Sequence, residues 1–116
     1  GQQQKNNYRI KAKNMNTNIF KSNGIYLGFL RDDNYLFSRD GLYLGWIESG
    51  YAWDISGQFR GQLTKIGQNN YVLKNMYAVP PLPKTPKPFP PPLTSIFDPQ
   101  SNIPPIVLPF GLTDGF

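Results

Sequence analysis

The chain has no cysteine and no histidine among its 116 residues. Without cysteine there can be no disulfide framework and no thiol nucleophile. Without histidine the commonest general base and the commonest transition-metal ligand are also missing. Acidic groups are few: Asp32, Asp33, Asp40, Glu48, Asp54, Asp98 and Asp114, against twelve Lys and Arg, for a net charge of +5. Glu48 and Asp54 could in principle supply the carboxylate pair of a glycosidase. The better reading makes Asp40 a turn residue, Asp32 and Asp33 a connecting turn, and Glu48 the start of the next one. Asp32-Asp33-Asn34 lacks the Asp-x-Asp-x-Asp-Gly spacing that surrounds calcium. The chain is therefore read as non-catalytic, with no cofactor and no metal. It has no apolar run long enough for a membrane-spanning helix, and no proline before Pro80.

What the chain does have is a repeat. Phe20-Lys-Ser-Asn-Gly24-Ile-Tyr26-Leu-Gly28-Phe-Leu30 recurs as Phe37-Ser-Arg-Asp-Gly41-Leu-Tyr43-Leu-Gly45-Trp-Ile47 and as Trp53-Asp-Ile-Ser-Gly57-Gln-Phe59-Arg-Gly61-Gln-Leu63. The turn glycines Gly24, Gly41 and Gly57 lie 17 and then 16 residues apart. A repeat of this kind fixes architecture before any single residue is interpreted. Each copy predicts a β-hairpin, with a two-residue turn of positive φ at Asn23-Gly24, Asp40-Gly41 and Ser56-Gly57. The shared inner face is predicted as Tyr26/Gly28/Leu30, Tyr43/Gly45/Ile47 and Phe59/Gly61/Leu63. The opposite face is Ile25/Leu27/Phe29, Leu42/Leu44/Trp46 and Gln58/Arg60/Gln62. It is apolar twice, so something must cover it. The mid-strand glycines Gly28, Gly45 and Gly61 predict close backbone approach or a ring over the bare Cα, with Tyr35, Phe37, Tyr51 and Trp53 as candidate rings. The alternative is a ligand approaching those glycines. Tyr71 to Tyr77 reads as the start of a degraded fourth copy, and Tyr8 to Ala12 as a further strand.

With Asn23-Gly24-Ile-Tyr-Leu-Gly28-Phe, Asp40-Gly41-Leu-Tyr-Leu-Gly45-Trp and Ser56-Gly57-Gln-Phe-Arg-Gly61 in view, the chain resembles bacterial proteins described as having a four-fold β-flower domain. The resemblance covers residues 18–77. It implies hairpins arranged around a pseudo-four-fold axis, and no established activity. Copy three departs by Ser56 and Gln62, and the fourth copy by having no glycine.

The chain divides into a basic polar arm (residues 1–17), the hairpin repeats (18–77) and a proline-rich extended segment (78–116) that holds all twelve prolines. At this length it is one domain, and a repeat region of about 60 residues is marginal alone. Pro80 to Pro92 predicts polyproline II. Ile96-Phe97 and Ile103 to Phe110 are too apolar for a disordered tail. The predicted arrangement folds this segment, through residues 93–110, over Ile25, Leu27, Phe29, Leu42, Leu44 and Trp46, on the same subunit or a neighbour. The chain begins Gly1-Gln2 without methionine, and the expectation drawn is a leader removed from an exported protein, periplasmic or at the cell surface. The function class predicted is a protein-binding or self-assembling module. Its recognition surface is placed at Lys65, Asn70, Tyr71 and Tyr77, where the repeat breaks. The alternative is a small ligand or carbohydrate held on aromatic faces. Single-stranded nucleic acid ranks below both, because the cations are spread rather than clustered. An SH3- or WW-type proline ligand ranks below burial of the tail.

Overall fold

A computed structural model describes residues 17–93 and 100–116. Tyr8 to Ala12, Ile96-Phe97 and Asp98 lie outside the described residues. Eight strands follow in order: β1 Thr17–Phe20, β2 Tyr26–Arg31, β3 Tyr35–Ser38, β4 Tyr43–Glu48, β5 Tyr51–Asp54, β6 Phe59–Ile66, β7 Asn69–Asn75 and β8 Leu112–Asp114. Consecutive strands pair antiparallel, and β1 pairs parallel with β7 through Ile19↔Asn70 and Phe20↔Tyr71. Seven strands therefore close into a barrel of consecutive hairpins. β8 continues along the same edge of β7 beyond the end of β1, through Leu73↔Asp114 to Asn75↔Leu112. Closure removes the open edge that a small sheet would otherwise expose.

The turns differ from the two-residue prediction. In each copy the N–H of the turn glycine bonds the carbonyl three residues back, as Gly24 to Lys21 at 2.8 Å, and the wider Lys21 N to Ile25 O bond closes the loop at 2.9 Å. This is a three-residue loop with glycine in the left-handed position. Asn23, Asp40 and Ser56 need no positive φ. Two-residue turns sit instead after copies two and three, at Ser49-Gly50 (φ 53 and 81) and Gly67-Gln68, while Asp32-Asp33-Asn34, with φ 55 and 59 at the two aspartates, links Arg31 to Tyr35 with three residues.

A bulge follows the turn of each of the three copies. Ile19 faces Gly28 but Phe20 faces Tyr26, so Leu27 is the extra residue; Leu44 and Arg60 are its counterparts. A bulge shifts the side-chain alternation by one, which corrects the face assignment in two ways. Tyr26, Tyr43 and Phe59 turn outward and lie against their cross-strand partners Phe20, Phe37 and Trp53, at 5.6, 5.7 and 5.5 Å between ring centres. Leu27 and Leu44, predicted outside, pack against the barrel interior. That interior takes one buried residue from the first strand of each quarter, Ile19, Leu36, Ala52 and Val72, together with Leu30. The mid-strand glycines face inward as predicted, but backbone rather than rings approaches them. A Cβ at Gly28 would lie 1.8 Å from the Phe37 carbonyl oxygen, and one at Gly45 would lie 1.9 Å from that of Trp53.

The fourth hairpin is complete, though its halves are far apart in sequence. Gly111 has φ 90, beside 89, 86 and 87 at Gly24, Gly41 and Gly57. Gly115 follows four residues later, the spacing found in every other copy. Its missing Cβ faces the Arg60 carbonyl oxygen at 2.0 Å. Asn75 opens this turn as Ser38 and Asp54 open theirs, its side chain accepting the N–H two residues on. Residues 78–110 are thus spliced into the turn of the last hairpin. The expectation that the fourth copy lacks glycine is corrected: Gly111 and Gly115 supply both. Phe116 then packs against the interior cluster, with the Arg60 guanidinium 4.5 Å from its ring centre.

The spliced segment runs backward around the barrel and touches the repeat turns in reverse order. Lys84 N donates to Gly57 O at 2.8 Å, Leu93 lies 3.5 Å from where a Gly41 Cβ would be, and Ile103 N donates to Gly24 O at 2.9 Å. A polyproline-type strand has no internal hydrogen bonds, so its N–H groups are free for such contacts. The predicted cover is corrected in detail. Trp46 is buried, but the contact over its ring comes from Lys87, outside residues 93–110. Ile103, Ile106 and Leu108 pack instead on Phe20, Tyr26, Tyr71 and Leu73. Ile25 and Leu42 stay exposed.

Candidate functional site

Each copy carries an outward notch between two side chains. One is the residue before the inward position of the first strand, and the other is the aromatic two residues after the turn glycine. In copy one these are Asn18 and Tyr26, joined by a 3.3 Å hydrogen bond from the tyrosine hydroxyl. In copy two they are Tyr35 and Tyr43, 6.2 Å apart, and Phe89 of the proline segment meets Tyr43 edge-on at 5.1 Å. Burial raises the Tyr43 hydroxyl's pKa above its ordinary value, and the neighbouring Tyr35 adds to the rise. In copy three the pair is Tyr51 and Phe59, 5.4 Å apart. Here no strap ring arrives among the described residues, and Tyr51 is 39% exposed.

The open notch belongs to a groove of about 620 Å³. Tyr51 and Phe59 form one side, Lys65 and Lys74 the floor's charged rim, and Val79 and Pro80 the start of the strap. No carboxylate lines it, and neither lysine has an ion-pair partner among the described residues. Beyond the strap's exit, Tyr77 stacks on Phe110 at 5.5 Å, with both rings largely in solvent.

The four predicted recognition residues do not form one patch. Lys65 lines this groove, and Asn70, its cross-strand partner, lines a second, polar groove beside Thr17 and Asn102. Tyr77 is exposed at the groove's end. Tyr71 is buried in the cluster with Phe20 and Tyr26, so it is a packing residue. The repeat breaks there because β7 must accept β6 on one side and both β1 and β8 on the other. Tyr51, the residue most open in the notch, was not singled out as a recognition residue. Its signal was present in the alignment of Asn18, Tyr35 and Tyr51 before each copy.

The two carboxylates weighed as a catalytic pair have separate structural partners. Burial would raise the Asp54 carboxyl, but bonds from Ser56, the Gln58 N–H and Arg60 outweigh it and hold it below its ordinary value. Glu48 receives Lys84 at 2.7 Å, Lys87 at 3.0 Å and the Trp46 indole N–H at 3.2 Å. The same ammonium groups lie 5.2 Å from the Trp53 ring centre and 5.5 Å from that of Trp46. This clasp fixes the strap beside the open notch. Its hydrogen bonds from Lys84 and then Lys87 lower the Glu48 pKa from 4.5 to about 2. A carboxyl lowered on folding stabilises fully above its unfolded value and loses that contribution as pH falls through the folded value. The gap in urea midpoint between the native chain and Glu48→Gln is therefore expected to hold from neutral pH to about 4.5 and to close towards pH 2. A gap unchanged at pH 2.5 would remove the clasp from the account. Among the described residues there is no group of acids that could hold a metal and no helix long and apolar enough to cross a membrane.

A closed ring of four hairpins, held by a strap that returns to complete the last one, defines a β-flower domain. The chain belongs to the family described as 4-fold beta flower protein, which matches residues 10–111. The match extends through the proline-rich strap, well past residue 77. No curated protein matches the chain. No solved structure does either.

Proposed function

We propose that this domain is a non-catalytic interaction module that docks a partner protein in the open groove of its third quarter. The observation that carries this reading is the half-exposed Tyr51–Phe59 notch, whose counterpart in copy two is met at Tyr43 by Phe89 of the protein's own strap. Aromatic rings in a concave site at the edge of an exposed apolar patch are typical anchors of protein contacts. Tyr77, Val79 and Phe110 extend the apolar surface at the groove's end, at 71, 93 and 92% exposure. A second reading, a sugar ring laid on Tyr51, rests on the same exposed face.

The test is affinity capture with the full native chain and with Tyr51→Ala as baits, in lysate of the organism that makes the protein. One or more proteins held by the native chain and released by Tyr51→Ala are expected. An identical captured set from both baits would end the protein-docking reading. Oligosaccharide binding that disappears in Tyr51→Ala, with no differential protein capture, would move the assignment to the sugar.

A further inference from the structure

The barrel carries its own example of what a notch accepts. In copy two Phe89, which lies between Pro88 and Pro90 in an extended segment, meets Tyr43 edge-on at the rim of the Tyr35–Tyr43 notch and stays 66% exposed. The backbone of that segment is anchored by Arg31, whose guanidinium donates to the Pro91 carbonyl at 3.0 Å. Copy three presents the same construction one quarter-turn away: a ring from the first strand, a ring two residues after the turn glycine, and the same cross-strand register between Ala52 and Gly61 as between Leu36 and Gly45. Its notch is open. The quarters differ in charge. Around the third, Lys65 and Lys74 stand without acidic partners among the described residues, while Glu48 is held in the clasp with Lys84 and Lys87.

Resting on the docking reading above, we infer that the groove takes an extended segment of a partner protein in which an aromatic side chain is flanked by proline and accompanied by acidic residues. The aromatic ring packs on Phe59 beside Tyr51 as Phe89 meets Tyr43 beside Tyr35, edge to face. The flanking prolines hold the segment extended before it binds, which reduces the ordering cost. The carboxylates meet Lys65 and Lys74, which distinguishes this partner from the strap's own lysine-bearing sequence and keeps the strap from competing for the site.

The probe is a synthetic peptide copying residues 84–92 with both lysines changed to glutamate, labelled at one end and titrated with the full chain by fluorescence anisotropy. Saturable binding is expected. It should weaken about tenfold or more when the peptide's phenylalanine becomes alanine, the loss typical of one aromatic anchor. Tyr51→Ala should cost a similar factor. The exposed pair change Lys65→Glu with Lys74→Glu should also weaken the acidic peptide and instead favour the lysine-bearing original. Urea unfolding of each variant separates loss of binding from loss of fold. Equal binding of the alanine peptide, indifference to Tyr51→Ala, or no saturable binding overturns the inference. A chain that dimerises with rising concentration and returns to monomer on Tyr51→Ala assigns the groove to a second copy and also overturns it. If capture still depends on Tyr51 while the peptide does not bind, the docking reading stands and the aromatic-proline chemistry falls.

Discussion

Removal of residues 111–116 should unfold this protein. That hexapeptide supplies β8, the glycine pair of the fourth quarter, and Phe116 against the interior. It also supplies Asp114, whose carboxylate accepts the Ser22 N–H at 2.8 Å and the Ser22 hydroxyl at 2.7 Å and so ties β8 to the end of β1. Loss of a packed Phe alone costs about 3–5 kcal/mol, and the freed hydrogen bonds add about 1 kcal/mol each. A domain of this size has only about 5–15 kcal/mol in all. A chain ending at Phe110 is therefore expected to lose its cooperative urea transition by tryptophan fluorescence, and to run expanded on size exclusion. The complementary change keeps the hexapeptide and removes the strap by joining Tyr77 directly to Gly111. Lys74-Asn-Met-Tyr77-Gly111 then has the length of Phe20-Lys-Ser-Asn-Gly24. This shortened chain should retain a cooperative transition at a lower midpoint, because Trp46 and Tyr26 lose their cover but the ring still closes. A chain ending at Phe110 that unfolds at the native midpoint would show that β8 is not part of the closing quarter.

A single methyl group at Gly45 should have an effect nearly as large. Its Cβ would fall 1.9 Å from the Trp53 carbonyl oxygen and within 2.9 Å of the carbon behind it. Both atoms are main chain in the middle of a hydrogen-bonded ladder and cannot rotate away. The sheet must open or the strand must shift, and overpacking against immovable atoms belongs to the few mechanisms that cost roughly 4 kcal/mol or more. Gly45→Ala is expected to lower the urea midpoint steeply or abolish the transition. Gly50→Ala is the control. It also has positive φ, but no atom lies within 4 Å of its Cβ, so only backbone strain of about 1 kcal/mol is expected. Equal effects at the two sites would mean that the strand spacing at Gly45 is looser than described here.

Much of this architecture was legible in the residues. The Gly-x-aromatic-x-Gly spacing announced the hairpins and their number in the middle of the chain, and the β-flower resemblance rested on it. The inward register of Gly28 with Leu30 and of Gly45 with Ile47 was also readable. The bulges were not. The extra residue is leucine at positions 27 and 44 but arginine at 60, and nothing local marks it as the one that turns Tyr26 outward. The fourth quarter was hidden for another reason. Gly111-Leu-Thr-Asp-Gly115-Phe116 keeps the glycine spacing but has Thr113 where the other copies have a ring, and a proline-rich stretch separates it from Asn75. Periodicity searches follow the chain, while the ring closes in space. The notch was half visible: Tyr51 stood in the pattern, but only the comparison of Phe89 at Tyr43 with the open groove at Phe59 gives it meaning. Glu48 was read as the start of a turn, and its partners Lys84 and Lys87 were not legible because they lie 36 and 39 residues further on.

The splice in the last hairpin also sets an order of events during synthesis. β7 can pair with β6 on one edge and with β1 at Asn70 and Tyr71 on the other before the strap is made, but its edge from Leu73 to Asn75 must wait for β8. The fourth hairpin can be completed only after residues 111–116 emerge, so the other three spend that interval without Phe116 or Asp114 to secure them. Contacts as distant as Ser22 with Asp114 are slow to form because the intervening chain must be closed first. Exposed strand edges in that interval favour association with other nascent chains. The strap, trailing β7 and reaching the Gly57 turn first through Lys84, is placed to shield the young barrel while β8 is still being made.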